Sequence, residues 1–186
     1  MQFTYQTERL LLKILSPEYA AVIHQFYLDN KQFLEPFEPK RPQNFYYADF
    51  HSTNLRCEYD AFLKLSYFRY WIFLKDNPNE PVGSVCFSNI LRGAFQKCML
   101  GYKLAEKHCH QGYMQEALST LIPILMKDLK LHRIEAYVQP NNHPSIRLLS
   151  KLDFKEEGYL RKYAEIQGHW TDHLIFSYIP DNSMNQ

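Results

Sequence analysis

The run KCMLGYKL ends at Leu104, an amphipathic stretch begins at Tyr113, and between them lies the short polar segment EKHCHQG. A strand-to-helix junction of this kind gathers free backbone N–H groups and the positive end of a helix in one spot, which is a setting for an anion such as a phosphate. Gly112 has no side chain to keep the main chain away from such a group. An ordinary strand-to-helix turn has the same pattern, so the segment alone does not decide. His108, Cys109 and His110, with His169 and His173, have the chemistry to hold zinc, but no recognised ligand spacing joins them, and no metal site is expected. Cys98 or Cys109 as a nucleophile would need an orienting third group, of which the sequence gives no sign.

The elements that must position this junction follow from periodicity and punctuation. RLLLKI (9–14) reads as a strand, and Ser16-Pro17-Glu18 supplies an N-cap, a first-turn proline and a first-turn acid for a helix to about Asn30. FLEPFEPKRP (33–42) is a proline-rich ordered loop placed to act as a substrate lid. A helix is predicted over Thr53–Ser66. YWIFLK (70–75), PVGSVCFSNI (81–90) and KCMLGYKL (97–104) then form an antiparallel meander, with DNPNEP as a hairpin connection.

Tyr113, Met114, Ala117, Leu118, Leu121, Ile122, Leu125, Met126 and Leu129 mark the apolar stripe of a long helix, with a kink predicted at Pro123. RIEAYV (133–138) alternates as a strand. Asn142 is suited to cap a short helix to Lys151, with Ser145 in its first turn, and residues 154–178 read as two strands around IQGHW.

The chain has 186 residues, 16% of them aromatic, and a formal charge of +1 from 21 Lys and Arg against 20 Asp and Glu. That length fits one domain, taken as residues 1–180 with a polar tail at 181–186. The charge balance gives no field to draw in DNA or an anionic membrane, and the group Lys40, Arg41 and Arg56 reads as a solvated face. Four cysteines without a C-x-x-C pair, no leader-like N-terminus and no apolar run of about 20 residues point to a reducing cytoplasm.

Several segments, in order, resemble the RimJ/RimL branch of the GNAT acetyltransferases over nearly the whole length, the RimJ type above all. TERLLLK (7–13) resembles the opening strand and QFLEPFEP (32–39) the substrate-side loop. VGSVCFSNILRGAFQKCMLGYKL (82–104) resembles the strand pair before the cofactor loop, and GYMQEAL (112–118) the start of the cofactor helix. HRIEAYVQPNNHPSIRLLSKLDF (132–154) and EEGYLRKYAEIQGHWTDH (156–173) resemble the later strand, asparagine cap and helix, and the closing strands. The loop departs from the family's Q/R-x-x-G-x-G/A at Cys109 and Met114, and His110 stands where glycine is common. Asp153 replaces a C-cap glycine, a left-handed position that Asp tolerates at modest cost.

The resemblance implies a mixed α/β GNAT fold: a mostly antiparallel twisted sheet of about seven strands, helices on both faces, and a splayed strand pair holding acetyl-CoA. It implies that pantetheine pairs along Leu100, Gly101, Tyr102 and Leu104, with N–H groups near Leu100 and Gly101 on the developing oxyanion. Pyrophosphate would take N–H groups of Gln111, Gly112, Tyr113 and Met114. Asn142 would contact the cofactor arm, and Ser145 would protonate the departing thiolate.

Direct attack by an acceptor amine on the thioester is implied, with no acyl-enzyme. Phe37 and Glu38 of the proline-rich loop, Asn89 and Arg92 of the RimJ-like fragment, and Asp172 of the closing turn are the candidate acceptor contacts, Glu38 also as a catalytic carboxylate. A turn-capping role for Asn89 and Arg92 stays open. Some RimL-like relatives carry a base glutamate on the penultimate strand, but the matching position here is Ala164, and Glu165 faces the other way.

No dedicated base stands out, which suits an N-terminal α-amine. Its pKa of about 7.8 leaves about a tenth or more neutral at pH 7, whereas lysine at about 10.4 is almost wholly charged. The acceptor is thus expected to be a protein N-terminus, the resemblance implying that of a ribosomal protein, and the enzyme a monomer or homodimer. A polyamine or antibiotic amine as acceptor, and a non-catalytic acyl-CoA-binding module, remain the alternatives.

Overall fold

The computed structural model describes residues 1–180, so the expected tail at 181–186 lies outside the described residues. Eight strands form one sheet in the order β1-β2-β3-β4-β5-β6-β8-β7. They are β1 (Thr4–Gln6), β2 (Leu10–Lys13), β3 (Phe68–Leu74), β4 (Pro81–Leu91), β5 (Lys97–Leu104), β6 (Arg133–Val138), β7 (Lys155–Ile166) and β8 (His169–Tyr178). All neighbours are antiparallel except β5 and β6, which run parallel. The strand beyond the expected number is β1, whose three residues are too short to show alternation; it pairs with β2 from Thr4↔Lys13 to Gln6↔Leu11.

Helices α1 (Ala20–Asp29), α2 (Lys31–Leu34), α3 (Ala48–Leu63), α4 (Tyr113–Asp128) and α5 (His143–Lys151) lie on both faces of the sheet. The segment after Ser16 opens as a 3-10 turn, Pro17–Tyr19, before α1 begins, and the Ser16 side chain makes no cap bond. The proline-rich loop is less irregular than expected. It begins within the single turn α2, carries a 3-10 turn at Glu35–Phe37 and leads into another at Gln43–Tyr46, since Pro36 falls in a first turn, where its missing N–H costs nothing.

Helix α3 starts at Ala48 rather than Thr53. No side chain caps it, and the buried positions His51, Leu55 and Phe62 define it through packing. Helix α4 passes through Pro123 without ending. Pro123 and Ser119 both face outward, so the carbonyl deprived of its partner meets water. Asp153 is left-handed (φ 62°), and the Phe154 N–H closes onto the Leu149 carbonyl at 3.0 Å, the bond of a Schellman-type end to α5.

The larger core lies between the sheet and α4 with α5, where Leu118, Leu121 and Leu125 meet Tyr70, Val85 and Phe87. A smaller core under α1 and α3 holds Ile23, Phe26, Leu55, Trp71 and Phe73. Each fully buried leucine contributes about 1.5–3 kcal/mol, so α4 is anchored firmly enough to hold its first turn in place. No helix among the described residues is long and apolar enough to cross a membrane.

His51 is 1% exposed. Its ring stacks on Tyr27 at 5.4 Å and lies 5.5 Å from the ring of His24. Burial, with the nearby His24 and Arg41, holds its pKa down at about 4. The unfolded chain binds this proton at about 6.5, so between those values acid favours unfolding. Stability should therefore fall by roughly 2–3 kcal/mol between pH 6.5 and pH 4. Urea unfolding across that range should show the slope, and His51→Gln should flatten it.

Candidate active site

The parallel ladder between β5 and β6 runs from Lys97↔Arg133 to Leu100↔Ala136 and stops, although β5 continues to Leu104 and β6 to Val138. The other edge of β5 stays paired with β4 as far as Gly83↔Leu104. The β5 edge from Gly101 to Leu104 therefore looks into a wedge. A cleft of about 880 Å³ occupies it, and Leu100, Gly101, Tyr102 and Leu104 all line it. An open strand edge offers alternating N–H and C=O groups to an amide-bearing ligand lying alongside.

At one end of the cleft stands the first turn of α4. Gly112 is its N-cap at φ 80°, and His110 two residues earlier is also left-handed (φ 61°). The first intrahelical bond is donated by Glu116 N–H to the Gly112 carbonyl at 3.0 Å. The N–H groups of Tyr113, Met114 and Gln115 therefore lie ahead of the ladder, free for an anion. Gly112, Tyr113 and Met114 line the cleft. Gln111 does not: its side chain donates to the Lys107 carbonyl (2.9 Å), its own carbonyl accepts from Arg9, and Cys109 and His110 line the wall instead.

A clamp from the N-terminal hairpin fixes this turn. Arg9 Nε donates to Glu116 Oε2 at 2.7 Å, Arg9 N–H to Glu116 Oε1 at 2.8 Å, and Arg9 Nη1 to the Gln111 carbonyl at 3.0 Å. The guanidinium also lies 4.6 Å over the Tyr113 ring. Burial pushes the Glu116 carboxyl up, but the Thr7 hydroxyl, the Arg9 N–H and the guanidinium together hold it below the ordinary range. Glu116 is thus ionised, and Arg9 offsets a charge that would otherwise oppose an anion at the helix start.

Asn142 and Ser145 both line the cleft. The Asn142 side chain accepts from Ser145 N–H at 3.3 Å, capping α5, and the Tyr102 hydroxyl donates to the Ser145 carbonyl at 3.5 Å. Burial pushes the Tyr102 phenol up to about 12, so it stays protonated.

The far end of the cleft is roofed by the proline-rich loop through Phe33, Leu34, Phe37 and Glu38, and bounded by Tyr137 and His173. The hairpin turn of β7 and β8, Gln167-Gly168, has positive φ at both residues (49° and 82°), as a two-residue turn of this hand requires. Gln167 Nε2 donates to the carbonyls of Glu35 and Glu38, each at 3.0 Å, latching hairpin to roof.

Glu38 is not a free carboxylate. Lys103 Nζ donates to its Oε1, and Arg41 holds its Oε2 through Nη2 at 2.5 Å and Nε at 3.1 Å. Burial raises its pKa, but Lys103 and then Arg41 outweigh that, leaving it below the carboxylate norm. It anchors the roof to β5 and is poorly suited to take a proton.

Three expected acceptor contacts are not brought to the cleft. Arg92 Nη1 donates to the Leu129 carbonyl at the end of α4, and Asn89 is left-handed (φ 50°), its amide on the Met99 sulfur at 3.9 Å, so both serve the far end of β4. Asp172 accepts from the Tyr159 hydroxyl (2.5 Å) and Lys162 N–H (2.7 Å), tying a bulge between β7 and β8. His173, which lines the cleft, and Gln167, which latches the roof, were not picked out because only pairing across distant segments places them there. Among the described residues, no three His, Cys, Asp or Glu side chains are grouped to hold a metal ion.

Residues 9–155 match the acetyltransferase (GNAT) domain family. The chain belongs to the GNAT acetyltransferases. It is 34% identical over 169 residues, 91% of this chain and 87% of the relative, to the [ribosomal protein uS5]-alanine N-acetyltransferase of Escherichia coli K12. It is 33% identical over 155 residues, covering 83% and 85%, to a probable N-acetyltransferase of Bacillus subtilis 168. The structure of ribosomal-protein-S5-alanine acetyltransferase from Vibrio fischeri superimposes with a TM-score of 0.91 at 29% identity, covering 97% of this chain and 98% of that one. RimJ of Mycobacterium smegmatis, solved with CoA-disulfide, gives 0.88 at 26% identity, covering 98% and 89%.

The protein is thus an acetyl-CoA-dependent N-acetyltransferase, and the cleft fits that donor: an open strand edge for the amide-bearing arm, free helix N–H groups for its pyrophosphate, and room for both. An alanine Cβ at Gly112 would be strained at φ 80° and would meet Arg9 Nη2 at 3.4 Å. Gly112→Ala should weaken acetyl-CoA binding about tenfold, consistent with a left-handed cost of about 1–2 kcal/mol, as read by calorimetric titration.

Proposed function

We propose that this enzyme acetylates the free N-terminal α-amine of a protein, with a ribosomal protein as the acceptor class. The observation that carries the reading is the state of Glu38. The carboxylate nearest the acceptor end is held by two cations, which leaves no strong base to strip a lysine, whereas an α-amine near 7.8 is already partly neutral. Similarity to the Escherichia coli enzyme named for uS5 alanine acetylation supports the same acceptor class.

In this reading the main-chain groups of Gly101 to Leu104 align the donor's arm, and the helix start at Gly112 to Gln115 holds its phosphates. Acetyl-CoA supplies an activated thioester carbonyl. Backbone N–H groups near Leu100 and Gly101 stabilise the oxyanion as the amine attacks, an effect worth about 3 kcal/mol for each well-placed donor. Asn142 holds the first turn of α5 so that the Ser145 hydroxyl can hand its proton to the departing sulfur. Four free cysteines, Cys57, Cys86, Cys98 and Cys109, fit a reducing cytoplasm.

Thiol release should be fastest with short peptides bearing free N-terminal Ala, Ser or Met. N-blocked lysine peptides and spermidine should react at least tenfold more slowly. Turnover confined to spermidine or lysine would replace this reading with a small-amine or lysine enzyme, and binding of acetyl-CoA without any turnover would leave an acyl-CoA-binding module. Ser145→Ala should lower kcat about tenfold with acetyl-CoA affinity intact, because the capping bond uses the Ser145 backbone N–H and survives the substitution.

A further inference from the structure

Resting on that reading, we propose that His173 is the general base that takes the proton from the attacking amine, through Nε2. Strand alternation puts Ala136 and Val138 of β6, Leu174 and Phe176 of β8, and Leu100 of β5 toward the large core. The opposite face, under the roof, receives Gly101 and Lys103, Tyr137 and His173. His173 is 6% exposed and lines the cleft, so what it exposes, it exposes there.

Its tautomer is fixed by geometry. Nδ1 lies 3.2 Å from the carbonyl oxygen of Thr171, which can only accept, so Nδ1 carries the hydrogen in the neutral ring. Nε2 then holds the lone pair. Among the described residues it has no protein partner, and it is not fully buried, on a residue that lines the cleft. The ring packs 5.5 Å from Tyr163, which itself stacks on Tyr137 at 4.7 Å, so the imidazole is held in place.

The other titratable groups near this end are committed. Glu38 is held by Lys103 and Arg41. Tyr137 donates to Glu135, and its phenol is raised by burial and by that carboxylate. Glu135 is held by Lys97 and Arg133. His110 and Cys109 belong to the phosphate end, where burial raises the Cys109 thiol.

The step balances without a further reactant. The amine nitrogen bonds to the thioester carbon, its N–H proton passes to His173 Nε2, and the C–S bond breaks as the sulfur takes a proton from Ser145, whose hydroxyl regains one from water. The imidazolium then releases its proton to solvent at the cleft mouth.

The test compares wild type with His173→Gln and His173→Ala on a peptide with a free N-terminal alanine. Both variants should bind acetyl-CoA within about twofold of wild type and lose about 10²-fold in kcat. The acid side of the kcat profile should lose one ionisation, and added imidazole should restore turnover to His173→Ala.

A kcat within twofold of wild type, or a loss with the acid limb unchanged and no rescue, overturns the proposal. Should neither variant fold, two-dimensional ¹H–¹⁵N spectra of the wild-type protein still decide, since a neutral His173 protonated at Nε2 excludes the role. If spermidine alone turns over, the N-terminal reading falls, while the same comparison made with spermidine still judges His173.

Discussion

The structure turns on the place where β5 and β6 stop pairing. Buried backbone groups are costly unless they find partners, and a parallel pair in mid-sheet is the last place to expect an open edge. Here the ladder ends at Leu100↔Ala136 while both strands run on. The separation is held open from both sides: β4 keeps β5 in register to Leu104, and β8 keeps β6 in register to Val138. The unpaired stretch of β5 offers a template for a ligand that brings its own amide groups.

Everything else serves that wedge. The larger core fixes α4 against the sheet, and the Thr7, Arg9 and Glu116 clamp fixes its first turn, so the free N–H groups at the helix start point to a defined place. The roof is held at two points, by the Lys103 and Arg41 pairs to Glu38 and by the Gln167 latch. Phe33 and Leu34 also tie the start of the roof into the smaller core, whereas Phe37 beyond them is exposed.

Segments with a strong local signal were legible from the residues. The apolar stripe of α4, the alternation of β6, the asparagine cap of α5 and the left-handed turn at Asp153 each depend on residues within a few positions, and each is found where the pattern put it. The start of α3 was not legible, because no cap or proline marks Ala48 and the packing of His51, Leu55 and Phe62 defines the helix. β1 was invisible for want of length. In the candidate site, Asn142, Ser145, Gly112 and the β5 edge came from the chain's own motifs and the family resemblance, and all four border the cleft.

By itself the sequence determined the order of the main elements, the family and one side of the cleft, because that side is built from contiguous segments with strong local signals. Only the tertiary structure decided the acceptor half. Whether Glu38 is free or doubly paired depends on Lys103 and Arg41 meeting it from a distant strand and from across its own loop. Whether Arg92 and Asp172 reach the cleft depends on which carbonyl, hydroxyl or N–H they find first, and both find one elsewhere. His173 becomes a cleft residue only when β8 pairs with β6 and Thr171 fixes its ring. Side-chain partners across long sequence separations carry no local signature, and the chemistry of this half is made of them.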